Sequence, residues 1–298
     1  MKTVVVIGNG FDIDLGWDTS YRSFYKAHNG WEMHRTSEDD LFQYVIKHVA
    51  DNWFDFERTL YNYAIHRSDS EVKYVERDSI DYKTFKNLLD IFLVEKSKEP
   101  INRESYAYLL LDAYIKQLKR YSSRPDLFLK WFSFNYTPLS EIAKQIDPDV
   151  KFDYVPVHGT LDKKNIIFGV HDDNRILPQY RYIQKSMDDA YESHGIVSAL
   201  MDASLIVFFG LSMGFIDGVY FEDVLKQISN VNSGNNNKEI VIVTRNNQTK
   251  REIKNNLQDM GLNTQVLFNT NRVEFILTSP EIADDSNDER FKTLLAKL

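Results

Sequence analysis

The chain has no cysteine among its 298 residues, which removes disulfides, thiolate metal sites and cysteine nucleophiles. It also has no excess of positive charge. With 44 acidic against 36 basic side chains and a net charge of −8, it lacks the electrostatic footprint of a general nucleic-acid binder. No apolar stretch approaches the roughly 20 residues of a membrane span, and no basic segment with a cleavage site precedes the first strand-like run. A cytoplasmic protein without a membrane partner is therefore expected. Internal repeats are missing too. What is present, 43% hydrophobic and 13% aromatic residues, suffices to bury one large core or two small ones.

The opening of the chain carries the strongest local signal. A β-branched run, Val4, Val5, Val6 and Ile7, leads directly into Gly8, Asn9, Gly10, Phe11 and Asp12, with Gly16 further on. A buried parallel strand that turns sharply into a helix reads this way, and such a turn leaves backbone N–H groups for a phosphate. The same glycines would also serve a tight strand–helix turn that binds nothing. The third glycine of a GxGxxG fingerprint is absent, its place taken by Ile13.

Further strands are predicted over 131–134, 152–157, 205–210, 240–244 and 264–268. Between the first and second of the six lies a block with helical spacing. Phe42, Val45, Ile46 and Val49 repeat at that spacing, as do Tyr106, Leu109, Leu110, Ala113, Tyr114, Leu118 and Tyr121. The reading is an α/β protein: a doubly wound, mainly parallel six-stranded Rossmann-like sheet formed by 1–37 and 122–298. A helical insertion, 38–121, is expected to cap the C-terminal edge of its strands. The asparagine-rich stretch 229–238 reads as a flexible loop.

In such a sheet, ligand-facing residues sit where strands end. Asn135 follows the second strand. His158, beside Gly159, follows the third, and imidazole is the usual side chain for proton transfer near neutral pH. Gly210 and Ser212 follow the fourth. Each also has a plainer reading: asparagine satisfies backbone groups in turns, and a histidine at a turn is often a hydrogen-bonded core residue. Glu57 falls on the apolar face of a helix that carries Trp53, Phe56, Leu60 and Ala64. A carboxylate there is either ion-paired or directed into a site. Asp12, Asp14 and Asp18 form a carboxylate cluster that could hold Mg²⁺, although an N-cap role for Asp12 and solvated positions for the others are the simpler account. No metal site is therefore assigned.

Several motifs, taken in order, resemble a known family. They are Gly8, Gly10, Phe11, Asp12 and Gly16; Trp53, Phe54, Asp55, Phe56 and Glu57; Phe134, Asn135, Tyr136 and Thr137; His158 and Gly159; and Phe209, Gly210 and Ser212 followed by Asp217, Tyr220 and Phe221. Together they resemble the bacterial AbiH group of phage abortive-infection proteins, which is in turn similar to the sirtuin-like fold that binds NAD and cleaves its nicotinamide–ribose bond. The resemblance implies a nucleotide site at Gly8, Gly10, Asp12, Gly16, Gly210 and Ser212, with Asn9 and Asp217 beside them as further candidates. It implies catalytic roles for Asn135 and His158, to which Glu57 is added as a candidate from its place on the apolar face of its helix. The chain departs from the sirtuin pattern where Asp12 stands for a serine and Thr137 for an aspartate, and without cysteine it has no zinc ribbon.

The expectation is an antiphage protein that binds NAD, as substrate or ligand, and hydrolyses it. Asn135 would orient water or a ribose hydroxyl, and His158 would act as base. Two alternatives stand beside it: a non-enzymatic module sensing a nucleotide or a phage protein, and a metal-dependent phosphoester hydrolase built on the Asp12 cluster. Candidate partners are NAD or a related nucleotide, a phage-derived trigger protein and a second copy of the chain.

Overall fold

The computed structural model describes residues 2–27, 41–51, 56–67, 73–120, 129–230, 237–279 and 285–298. The expected boundaries at 37/38 and 121/122, Trp53, Phe54 and Asp55 of the motif, Tyr121, and most of the 229–238 loop lie outside the described residues. The chain forms two compact units. The first comprises Met1–Trp17, Glu99–Val157 and Ser193–Leu298; the second comprises Asp18–Lys98 and His158–Glu192.

The first unit is built on a six-stranded, all-parallel sheet: β1 (Thr3–Ile7), β2 (Leu129–Ser133), β3 (Val155–Pro156), β4 (Leu205–Phe209), β5 (Glu239–Thr244) and β6 (Arg272–Leu277). The strand order is β3-β2-β1-β4-β5-β6. β1 thus has β2 on one side and β4 on the other, the reversal of order at which doubly wound sheets bind ligands. Period-two alternation explains the continuous hydrophobic runs. Val4, Val6, Ile206, Phe208, Ile240 and Ile242 face one core, with Val224, Leu225 and Ile253. Val5, Ile7, Val207, Phe209, Val241 and Val243 face the other, with Leu110, Tyr114, Leu139 and Phe291.

Three sequence readings are corrected here. The segment expected as a strand over 264–268 is a helix, Thr264–Thr270, started by the Asn263 side chain, which accepts a hydrogen bond from Val266 N. The sixth strand is β6, immediately after it. The expected strand over 152–157 shortens to two residues, because it pairs only with β2 and Pro156 has no N–H to give. Finally, the helix Tyr106–Arg120 belongs to the sheet unit instead of the insertion. Its buried face is Ala107, Leu110, Leu111, Tyr114 and Ile115, with Tyr114 against Trp131 and Phe152, while Leu109 is exposed. The second unit instead gains residues 158–192.

That second unit is helical and aromatic. Helices Tyr21–Ala27, Leu41–Asp51, Phe56–Ile65 and Val75–Lys96 enclose Phe24, Phe42, Phe56, Phe85, Phe92 and Phe168. Phe42 stacks on Phe85 at 4.8 Å, and Phe56 meets Phe85 edge-on at 5.1 Å. Buried Asp78 accepts hydrogen bonds from the hydroxyls of Tyr63 (2.7 Å) and Tyr180 (2.9 Å), tying two helices to the 158–192 segment.

Candidate functional site

In the first unit the strand ends of β1, β2 and β4 meet. Gly8 N donates to Phe209 O at 2.9 Å, Gly10 N to Gly210 O at 2.9 Å and Phe11 N to Gly8 O at 2.8 Å. The glycines are required by backbone-on-backbone packing. A Cβ on Gly10 would lie 2.6 Å from Gly210 Cα, and one on Gly210, at φ +67°, would lie 2.3 Å from Phe11 N. These N–H groups are therefore committed to the turns themselves.

Asp12 sits in the first turn of the six-residue helix Asn9–Asp14 and is 2% exposed. Asn135 Nδ2 donates to its Oδ1 at 2.7 Å, and Thr137 Oγ1 reaches both carboxylate oxygens at 3.0 Å. Burial drives the Asp12 carboxyl up to about 7, against the opposing pull of the Thr137 and Asn135 hydrogen bonds. Asn135 is also buried. Its main chain is clamped by Ser133, whose Oγ accepts from Asn135 N at 3.2 Å and donates to Asn135 O at 3.1 Å. The second Nδ2 hydrogen goes to Gly8 O at 3.0 Å.

The remaining nucleotide candidates of this unit have structural employment. Gly16, at φ +100°, ends the helix, its N–H donating to Ile13 O at 3.1 Å. Asn9 is exposed. Ser212 is exposed too, and its Oγ accepts from Gly214 N at 3.2 Å. Asp217 precedes a short 3₁₀ turn, Gly218–Tyr220, and its main-chain oxygen accepts from Tyr220 N at 3.2 Å. Tyr220 and Phe221 pack on Phe134, at 5.2 Å and 5.4 Å.

The second unit holds the other two catalytic candidates, and it brings them together. Buried Lys185 places Nζ 3.3 Å from Glu57 Oε2 and 3.3 Å from His158 Nε2. The buried carboxylate read from the sequence is thus ion-paired, with a lysine. His158 is 3% exposed. Its main-chain oxygen accepts from Ile167 N at 2.7 Å, and Gly159, at φ +73°, leaves no room for a Cβ beside Asn165 O. Lys185 is the residue that sequence reasoning missed. It opens a three-residue 3₁₀ turn, Lys185–Met187, and is fixed by Lys185 N donating to Val170 O at 2.8 Å; no periodicity marks it.

The three acidic residues of the possible metal cluster are each engaged elsewhere. Asp14 accepts from Ala107 N at 2.7 Å, and Asp18, in the second unit, accepts from Ser20 Oγ at 2.6 Å. Among the described residues no group of three or more His, Cys, Asp or Glu could hold a metal ion. No described helix is long and apolar enough to cross a membrane.

With this geometry in view, the family described as bacteriophage abortive infection AbiH matches residues 4–236. The chain belongs to the AbiH family. The match spans β1, Glu57, Asn135, His158, Lys185 and the β4 turn. No curated protein matches. Among solved structures, "The Structural basis of Sirtuin Substrate Affinity" is similar at 13% identity over 82% of this chain and 82% of that one, with a TM-score of 0.32. "The Structural basis for Sirtuin Substrate affinity" is similar at 12% identity over 87% and 93%, with a TM-score of 0.32.

Proposed function

We propose that this AbiH-family protein serves abortive infection by binding NAD at the strand ends of its sheet unit and hydrolysing the nicotinamide–ribose bond. The observation that carries the reading is Asn135, buried at the end of β2 beside the β1 turn, with both amide hydrogens spent on Gly8 O and Asp12. It therefore offers a ligand its carbonyl oxygen. That oxygen suits a ribose hydroxyl or an attacking water. The pyrophosphate does not fit on Gly8, Gly10 and Phe11, whose N–H groups are already bonded.

Cleavage builds oxocarbenium character on the ribose and calls for an oriented water and a base. Asn135 is assigned the first role. An enzyme-free nucleotide sensor would use the same Asn135 contact.

The test is incubation of the full chain with NAD, followed by chromatography for free nicotinamide, with and without chelator. Release that is indifferent to chelator and lost in Asn135→Ala is expected. Bound NAD without nicotinamide release would favour the sensor, and chelator-sensitive turnover would favour metal chemistry.

A further inference from the structure

The buried carboxylate in the β1 turn is unexpected. Where a nucleotide loop would present N–H groups, this chain presents acceptors. Gly8 O and the Asp12 carboxylate both face the Asn135 amide. Turning that amide over would set its carbonyl oxygen against these two acceptors, which is repulsive. Its orientation is thus fixed while Asp12 is ionised. Among the described residues no hydrogen bond is made to Asn135 Oδ1.

We propose that Asp12 is the positioning residue of this site: it holds both amide hydrogens of Asn135 inward and leaves the carbonyl oxygen to a ligand, selecting a hydrogen-bond donor such as a sugar hydroxyl over an anion. The ligand part rests on the NAD reading above, whereas the positioning part stands without it. Thr137 is the second support, because its hydroxyl bridges both carboxylate oxygens and keeps the carboxylate plane aimed at Asn135. The groups acting on Asp12 are its burial, Thr137 and Asn135. No charged side chain on the elements around it, the packed helix Tyr106–Arg120 included, is among them. The carboxylate changes protonation at about 7, so the amide of Asn135 reports on it directly.

The experiment uses the full chain labelled with ¹⁵N. The Asn135 side-chain amide signal, assigned by its loss in Asn135→Asp, is followed from about pH 5 to about pH 9. The expected result is a titration centred at about 7. It disappears in Asp12→Asn and moves upward in Thr137→Val, which removes a hydrogen bond that lowers the midpoint.

NAD is the probe for the ligand arm. Asp12→Ala should weaken NAD binding at least about tenfold, while Asp12→Asn, which keeps an acceptor oxygen, stays within about threefold. A purely structural Asp12 would lower the melting temperature of Asp12→Ala and leave the affinity of the folded protein unchanged. An Asn135 amide signal that is the same in the wild type and in Asp12→Asn at every pH overturns the positioning role, as does Asp12→Ala binding NAD like wild type. A titrating amide in a wild type that does not bind NAD sinks the NAD reading alone. If Asp12→Ala does not fold, the wild-type titration and Thr137→Val decide.

Discussion

The ammonium of Lys185 stands 3.3 Å from Nε2 of His158. An ammonium has no lone pair to offer, so the contact engages Nε2 as the acceptor. The same ammonium answers the Glu57 carboxylate, both side chains being nearly inaccessible to solvent. Lys185→Met removes this cation from the buried carboxylate, with an expected loss of about 3–5 kcal/mol in urea unfolding. The double variant Lys185→Met with Glu57→Gln should recover part of it. Strict additivity of the two single changes would show that the pair is not coupled.

The contact of the β1 and β4 turns is tested with two glycines of similar backbone conformation. Gly210 and Gly261 have φ of +67° and +77°, but a Cβ on Gly261 meets nothing within 4 Å. Gly261→Ala should cost only the left-handed strain, about 1–2 kcal/mol. Gly210→Ala must also push Gly10 and Phe11 away, and should lower the melting temperature substantially further. Equal losses would place the two turns apart.

Burial of Asp12 has a pH signature of definite sign. Its carboxyl is raised from 3.8 to about 7 on folding, so between those values the folded chain holds a proton that the unfolded chain releases. The stability associated with this group is complete at low pH and is lost as pH rises through about 7. The loss is on the order of 4 kcal/mol. Measured as wild type minus Asp12→Asn, stability should fall from about pH 4 to about pH 8; a flat difference would contradict the burial.

Asp78 in the helical unit is fully buried and takes two phenolic hydrogen bonds. Tyr63→Phe and Tyr180→Phe should each cost about 1–3 kcal/mol, the range for a hydrogen bond to a buried charged group. Circular dichroism during thermal unfolding gives the comparison. Losses below about 0.5 kcal/mol would mean that solvent replaces the missing hydroxyl.

The sheet was legible where its strands are buried on both faces, because continuous runs such as Leu205 to Phe209 have few other readings. It was illegible at its edges. β6 alternates Arg272, Val273, Glu274 and Phe275, and its Arg272–Glu274 ion pair is partly exposed. The more apolar Val266, Leu267 and Phe268 just before it outweighed that pattern, although Asn263 is a helix cap signal. Asn135 and Asp12 were visible as strand-end residues, but nothing in their spacing of more than a hundred positions announces the hydrogen bond between them. Glu57 was legible as a buried carboxylate. Its partner was not, because Lys185 is brought to it by the non-local pairing of the 158–192 segment.

The interleaved division of the chain has a consequence for its synthesis on the ribosome. The helical unit is complete in sequence at Glu192, but β1 cannot gain its neighbour β4 until residues 205 to 209 emerge. At about 5–20 residues per second, β1 waits on the order of 10–40 s for that partner. Throughout that interval Val4 to Ile7, fully buried in the finished sheet, present an apolar strand unmatched on both sides until β2 emerges and on one side thereafter. The nascent chain is then most exposed to chaperone capture or to association with its neighbours on the same message.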